Sequence, residues 1–144
     1  MADPDSGDID PSRYYAVEDH VWVAVQEDGT VLVGVVADGC LLRGPVRGYS
    51  PRRVGKSLRA GLSCATLEGD DWVAPARCPV GGTVVAVNEA AQETPDVVRS
   101  DCWDAGWLVR LEPEDLRRDL ADLVTGDTAR AAFERLHAEM RAPV

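Results

Sequence analysis

The feature that most constrains this chain is its punctuation. From Tyr14 to Leu111, Gly, Pro, Asn and Asp recur and separate short runs rich in valine. Turn signals about every 8 to 12 residues leave little room for long helices and are the spacing of an all-β sandwich or barrel. The clearest unit is VWVAVQEDGTVLVGVV, where Val21, Val23 and Val25 alternate with Trp22 and Ala24. Glu27-Asp28-Gly29 then offers a tight turn, and Thr30 to Val36 returns as a second strand. A second hairpin is expected with Ser63 to Leu67 outgoing, Glu68-Gly69-Asp70-Asp71 turning and Trp72 to Ala74 returning. Further strands are predicted at Gly82 to Val87 and Gly106 to Leu111, with a loop or short helix near Pro95 to Ser100.

The two ends read differently. Residues 1–13 carry acids and prolines without apolar periodicity, the pattern of a disordered tail. Residues 112–144 are expected to form helices that pack on the sandwich. Pro113 suits a first helical turn, Leu116, Leu120 and Leu123 recur at helical spacing, and Gly126 stops that helix. Asp127 or Thr128 caps another, with Phe133, Leu136 and Met140 on one stripe. An echo between VGVVADG at Val33 and VGGTVVAVNEA at Val80 suggests a sandwich of two similar halves.

Composition narrows the function classes. With 45% hydrophobic residues but a single Phe, the core must be built mainly from Val, Leu and Ala. A length of 144 residues fits one domain. A net charge of −10 argues against nucleic acid or an anionic membrane as partner. No apolar run approaches the roughly 20 residues that cross a bilayer, and MADPDSGDIDPS is acidic where a secretory signal is basic and then apolar, so a cytoplasmic location is expected.

Catalytic and metal-binding patterns are weak. Cys40, Cys64, Cys78 and Cys102 form no C-x-x-C pair and read as reduced, small apolar filler. Glu68, Asp70 and Asp71 lack calcium-loop spacing and read as a solvated turn. His20 reads as satisfying a local hydrogen bond and His137 as a surface position. No nucleophile elbow with a Ser-His-Asp order appears, and Gly81-Gly82 reads as a β-turn rather than a phosphate loop. No enzyme, metal or cofactor is therefore expected.

Four segments carry a resemblance: YAVEDHVWVAV from Tyr15, VGKSLRAG from Val54, APARCPVGGTVVAVNEA from Ala74 and DCWDAGWLVRL from Asp101. Together they resemble the glycine cleavage system H protein family, from Tyr14 to about Ala132, with no insertion or deletion between Val33 and Asn88. The resemblance implies a lipoyl-domain-like β-sandwich, or barrel-sandwich hybrid, with short C-terminal helices. It also implies a carrier: a lipoyl group amide-linked to a lysine on an exposed hairpin tip, shuttling an aminomethyl group between partner enzymes. The family pattern at that tip is E-S-V-K-A. Here the corresponding residues are Glu68, Gly69, Asp70, Asp71 and Trp72, so Asp71 stands in place of the lysine.

A carboxylate cannot form that amide, and the chain has a single lysine, Lys56, on a different turn. The expectation is thus a non-lipoylated homologue that binds a partner enzyme as a scaffold or regulatory module. The alternative is a carrier in a specialised pathway, holding its group through Lys56 or a cysteine. Acids at the tip would raise the pKa of a neighbouring thiol, which disfavours the cysteine route. Trp72 stands where the family has a small residue and is either an anchor for a partner pocket or a shield folded onto the sheet. Arg43, Arg47, Arg52, Arg53, Lys56 and Arg59 form a basic stretch with no acid among them, where the family tends to carry acids. This stretch is either a partner or anionic-ligand site, or a solvated face neutralised by the acidic tail; on the first reading Arg47, Arg52 and Arg53 join Glu68, Asp70, Asp71 and Trp72 as partner-binding candidates.

Overall fold

The chain's first hairpin illustrates how local chemistry sets the fold. In the computed structural model, which describes residues 13–36 and 42–125, β1 (Tyr14–Ala16) leads through a tight turn at Val17–Asp19 into β2 (Val21–Val25), and β3 (Val31–Val35) returns antiparallel to it. Gly29 N donates to Gln26 O at 3.0 Å and Gln26 N to Thr30 O at 2.8 Å, closing a three-residue loop. Its last residue, Gly29, has φ 87°, a left-handed value that matches the strand twist and that glycine adopts without a Cβ clash. The Asp28 carboxylate accepts from Thr30 N at 2.9 Å and from its hydroxyl at 2.6 Å.

Next come β4 (Gly48–Pro51), β5 (Ser57–Leu58), β6 (Ser63–Glu68), β7 (Val73–Arg77) and β8 (Gly82–Val87). Helices α1 (Glu89–Glu93) and α2 (Val97–Ser100) precede β9 (Val109–Pro113), α3 (Leu116–Leu120) and β10 (Val124–Thr125). One antiparallel sheet runs β10-β1-β2-β3-β9-β8-β5 and the other β4-β6-β7. Between them lies the expected valine core: Val21, Val23, Val31, Val33, Val35 and Val84, with Leu67, Leu108 and Leu111, are wholly buried. Tyr49 joins the halves, its hydroxyl donating to Leu108 O and accepting from Asn88 N.

Period-2 patterning leaves Trp22 on the outer face of β2, yet it is as buried as the core. Its ring lies over Gly34, where a Cβ would come within 2.2 Å of it, and its Nε1 donates to Cys102 O at 3.1 Å. Tyr15, Trp22 and Val36, with Trp103 and Trp107 against them, form a second cluster. Arg13 covers Trp22 and Trp103 at 4.8 and 5.2 Å and donates to Trp103 O, so the packed body includes this residue of the expected tail.

Several sequence expectations shift. Pro113 is the last residue of β9, paired with Gly82, and not a helix start. The helix begins at Leu116, where the Asp115 carboxylate accepts from Arg118 N at 3.3 Å. Leu123 lies beyond that helix, because the chain straightens to pair Val124 with Tyr15. Residues 106–108 precede β9, since Gly106 is pressed so close to Val97 O that a Cβ would sit 2.2 Å away. Gly82 opens β8 as the strand expectation has it, so the Gly81-Gly82 turn reading does not hold for Gly82; its missing Cβ lets Glu112 O approach. The predicted stop at Gly126 and the helix bearing Phe133, Leu136, His137 and Met140 lie outside the described residues.

Candidate functional site

The β6–β7 hairpin builds the site. Glu68 pairs with Val73, and Gly69 N donates to Trp72 O at 2.9 Å, which leaves Asp70 and Asp71 as the two central residues of the turn. Glu68, Asp70 and Asp71 are exposed, whereas Trp72 is half-buried against the core. The Trp72 indole packs against Gly69. A Cβ there would come within 1.9 Å of Nε1, and one at Gly44 would lie 3.9 Å from the same atom. The shielding arrangement of Trp72 thus depends on a glycine beneath the ring.

The segment leading into β4 braces this tip. Arg47 N donates to Glu68 O at 2.7 Å, and Arg47 Nε meets Asp70 Oδ1 at 3.3 Å. Both side chains are mostly exposed, so solvent weakens the pair and its role is orientation more than stability. One residue earlier, Val46 N donates to Asp96 Oδ1 at 2.8 Å, and Asp96 takes two bonds from Arg99 at 2.9 and 2.8 Å. The Arg99 hydrogen bond is the main reason the Asp96 carboxyl lies below its usual range. Asp71 has no ion-pair or hydrogen-bond partner for its side chain among the described residues. Gly69 was legible as part of the turn but not as the seat of the Trp72 ring, and Asp96 and Arg99 were not legible as parts of the site.

The basic stretch is divided by the direction of β4. Gly48 pairs with Glu68 beside the tip, but Pro51 pairs with Ala65, and Arg52 N reaches Cys64 O at 2.9 Å. Arg47 therefore belongs to the tip, while Arg52, Arg53, Lys56 and Arg59 lie at the far end of the sheet. Six residues of β6 separate the ends, a span of about 17 Å at ~3.3 Å per residue. Lys56 is exposed on a turn closed by Lys56 N donating to Arg53 O at 3.1 Å.

The thiols are packing elements. Cys64 and Cys78 have no exposed surface, Cys64 Sγ donates to Ala76 O and Cys78 Sγ to Val80 O, and Cys102 is also buried. The Cys64 thiol is pushed well up, but by its Cys78 neighbour first and burial second, not by the acidic tip. Cys40 lies outside the described residues. His20 ends the turn after β1 at φ 57°, its N donating to Val17 O and its carbonyl accepting from Val36 N. Among the described residues no group of His, Cys, Asp and Glu is placed to hold a metal ion.

Comparison with known proteins gives this geometry its family. The glycine cleavage H-protein family model matches residues 13–136. Glycine cleavage system H protein 2 of Aquifex aeolicus is 40% identical over 84% of this chain and 75% of its own length. The Thermobifida fusca H protein is 36% identical over 80% of this chain and 88% of its own. A crystal structure of the Mycobacterium marinum H protein superposes with a TM-score of 0.73 at 29% identity, over 85% of this chain and 97% of that one. The shared architecture is the lipoyl-domain-like β-sandwich. Proteins of this kind serve partner enzymes and are not enzymes themselves. The chain belongs to the glycine cleavage H-protein family.

Proposed function

We propose that this family member carries no lipoyl group and acts as a protein-binding module, a scaffold or regulator that docks on a partner enzyme through the β6–β7 tip. Asp71 carries the reading: it holds an exposed central position of the turn, the position that the resemblance pairs with the family's acceptor lysine, and its carboxylate cannot form the amide. Lys56, the sole lysine of the chain, lies at the other end of the sheet, so a shift of alignment by a residue or two supplies no amine. The tip suits contact. The exposed acids Glu68, Asp70 and Asp71 flank Trp72 in the turn, and the part of its ring not folded onto Gly69 offers a partner an aromatic contact with a polar rim. In this reading the tip enters the partner pocket that a lipoyl arm would otherwise occupy.

The surroundings agree with a protein partner in the cytoplasm. A net charge of −10 opposes nucleic acid, and no helix among the described residues is long and apolar enough to cross a membrane. The carrier alternative finds no accessible thiol at Cys64, Cys78 or Cys102. Lys56 is exposed, and it is where a moved carrier function would be found.

The deciding experiment is the intact mass of the protein purified from its own cells, before and after reductant and hydroxylamine. The unmodified mass is expected. A stable adduct mapping to Lys56, or a labile one mapping to a cysteine, replaces the binding module with a relocated carrier.

A further inference from the structure

The far end of the small sheet collects charge that the described residues leave unanswered. Arg52, Arg53, Lys56, Arg59 and Arg77 are all exposed there. Four arginines elsewhere find a carboxylate: Arg47 has Asp70, Arg99 has Asp96, Arg110 has Asp28, and Arg118 has Asp115 and Asp119, while Arg43 and Arg117 stand singly, apart from this cluster. The five at the far end have none among the described residues. Two are fixed in place by backbone carbonyls, since Arg52 Nε donates to Ser63 O at 3.1 Å and Arg77 to Gly61 O at 3.3 Å. Pro51, Arg52, Arg53 and Lys56 line an open recess of about 280 Å³.

Apolar surface is interleaved with these cations. Val54 is 56% exposed, Leu62 40% and Val85 38%, three of the five large hydrophobic residues that stand out of the described surface. Gly55 N donates to Val84 O at 2.7 Å, which sets the Val54 turn beside Val85. Leu62 follows the Arg59 turn, closed by Leu62 N on Arg59 O at 3.1 Å. On the other side of Ala60 and Gly61 the sign reverses abruptly. The adjoining groove of about 500 Å³ is lined by Glu18, Asp19, Asp119 and Asp122. A partner drawn to the cationic side is repelled at that boundary, which fixes its orientation.

We propose that this face is a second docking surface, for an acidic segment of another protein in which carboxylates alternate with aliphatic side chains. Carboxylates would take the forks of Arg52, Arg53 and Arg77 and the ammonium of Lys56, and aliphatic groups would cover Val54, Leu62 and Val85. Fixed guanidinium groups with separated apolar side chains between them suit a peptide with both kinds of side chain better than a bare anion. The surface lies about 17 Å from the tip along β6, so one copy can engage two partner surfaces at once. The inference extends the binding-module reading, and the two fail separately because neither surface contains a residue of the other.

The probe is a fluorescein-labelled peptide of alternating Glu-Glu and Leu units, followed by fluorescence anisotropy on the full chain. Saturable binding is expected, weakened at least about tenfold by the pair Arg53→Glu and Lys56→Glu and also weakened by added salt. Neither side chain has a structural hydrogen bond among the described residues, so this pair leaves the fold intact, as circular dichroism and the melting temperature will check. Asp71→Asn at the tip should leave peptide binding unchanged. No saturable binding up to about 1 mM, the weak end of specific association, overturns the proposal. So does binding that survives the charge reversal. Pyrophosphate or single-stranded DNA binding the same face as tightly would make it an anion or nucleic-acid site. A salt-sensitive dimer in sedimentation, abolished by tip and far-end variants alike, would make a second copy the occupant.

Discussion

Gly69→Ala tests how the tip is built. The added Cβ would overlap the Trp72 indole at 1.9 to 2.6 Å, so the ring must leave its seat. A fully buried aromatic removes about 150–250 Å² from water, and half-buried Trp72 stands to lose on the order of 100 Å². At ~25 cal/mol per Å² that is about 2.5 kcal/mol. Gly69 is not in the left-handed region, so alanine also narrows the unfolded ensemble and returns about 0.4–1 kcal/mol. The net loss of about 2 kcal/mol corresponds to a melting temperature about 4 to 8 °C lower for a chain of this size. Urea unfolding gives the free energy, and acrylamide quenching reports a more accessible tryptophan. In a Trp72→Ala background the same glycine change should be neutral or slightly stabilising, leaving a coupling of about 2.5 kcal/mol in the double-mutant cycle. A Gly69→Ala protein that melts and quenches like the parent, or one equally damaged without Trp72, refutes this account.

Other expectations follow from the core. Burial raises the Tyr49 hydroxyl to about 12, while the unfolded chain titrates near 10. Between those values the unfolded state has lost a proton that the native state keeps, so stability should fall by on the order of 2–3 kcal/mol as pH rises from about 10 to 12. Tyr49→Phe should remove that component in pH-dependent urea melts and cost about 1–3 kcal/mol at neutral pH, since Leu108 O and Asn88 N lose their shared partner. Gly82→Ala should destabilise by about 3 kcal/mol in thermal melts, because its Cβ would meet Glu112 O, a backbone atom that cannot swing away. Native Cys64 and Cys78 should resist Ellman's reagent and react only after unfolding, and rapid native labelling of either would contradict their buried, hydrogen-bonded state.

What the sequence made legible and what it hid divide along the range of the interactions. The β2–β3 and β6–β7 hairpins were readable because alternation and turn chemistry act within a few residues, as at Gly29 and Asp28. β10 was not: Val124 and Thr125 are strand only because Tyr15 and Tyr14 offer an open edge more than a hundred positions away. Pro113 misled because a first helical turn and a strand end both tolerate a missing N–H, and only the pairing with Gly82 decides between them. At the site, the position of Asp71 was legible through the turn, and the brace on that turn was not. Arg47 reaches Asp70 across 23 positions, and Asp96 reaches Val46 N across 50. The basic stretch looked continuous in sequence, but a strand about four residues long carries its two ends to opposite ends of the sheet.

Set against the E-S-V-K-A pattern that the resemblance implies for this turn, the proposed tip carries differences that depend on one another. In E-S-V-K-A the second position carries a side chain and the fifth is small; here Gly69 is bare and Trp72 is large, and the structure requires that pairing, since the indole fills the space a serine side chain would enter. A lysine at position 71 would need no such compensation, because Asp71 is exposed and its side chain has no ion-pair or hydrogen-bond partner among the described residues. The Trp72 ring and the bare Gly69 fit one another, since a Cβ at residue 69 would occupy the space of the indole. The proposed binding module accounts for both differences together, whereas simple release from carrying a group accounts for the lysine position alone. Restoring the amine tests this directly. Asp71→Lys alone should remain a poor substrate for lipoyl attachment in a lipoylating cell extract, because Trp72 still flanks the new lysine. Adding Trp72→Ala and Gly69→Ser should raise the modified fraction, read by intact mass. Full modification of the single Asp71→Lys variant would mean that only the lysine had been lost.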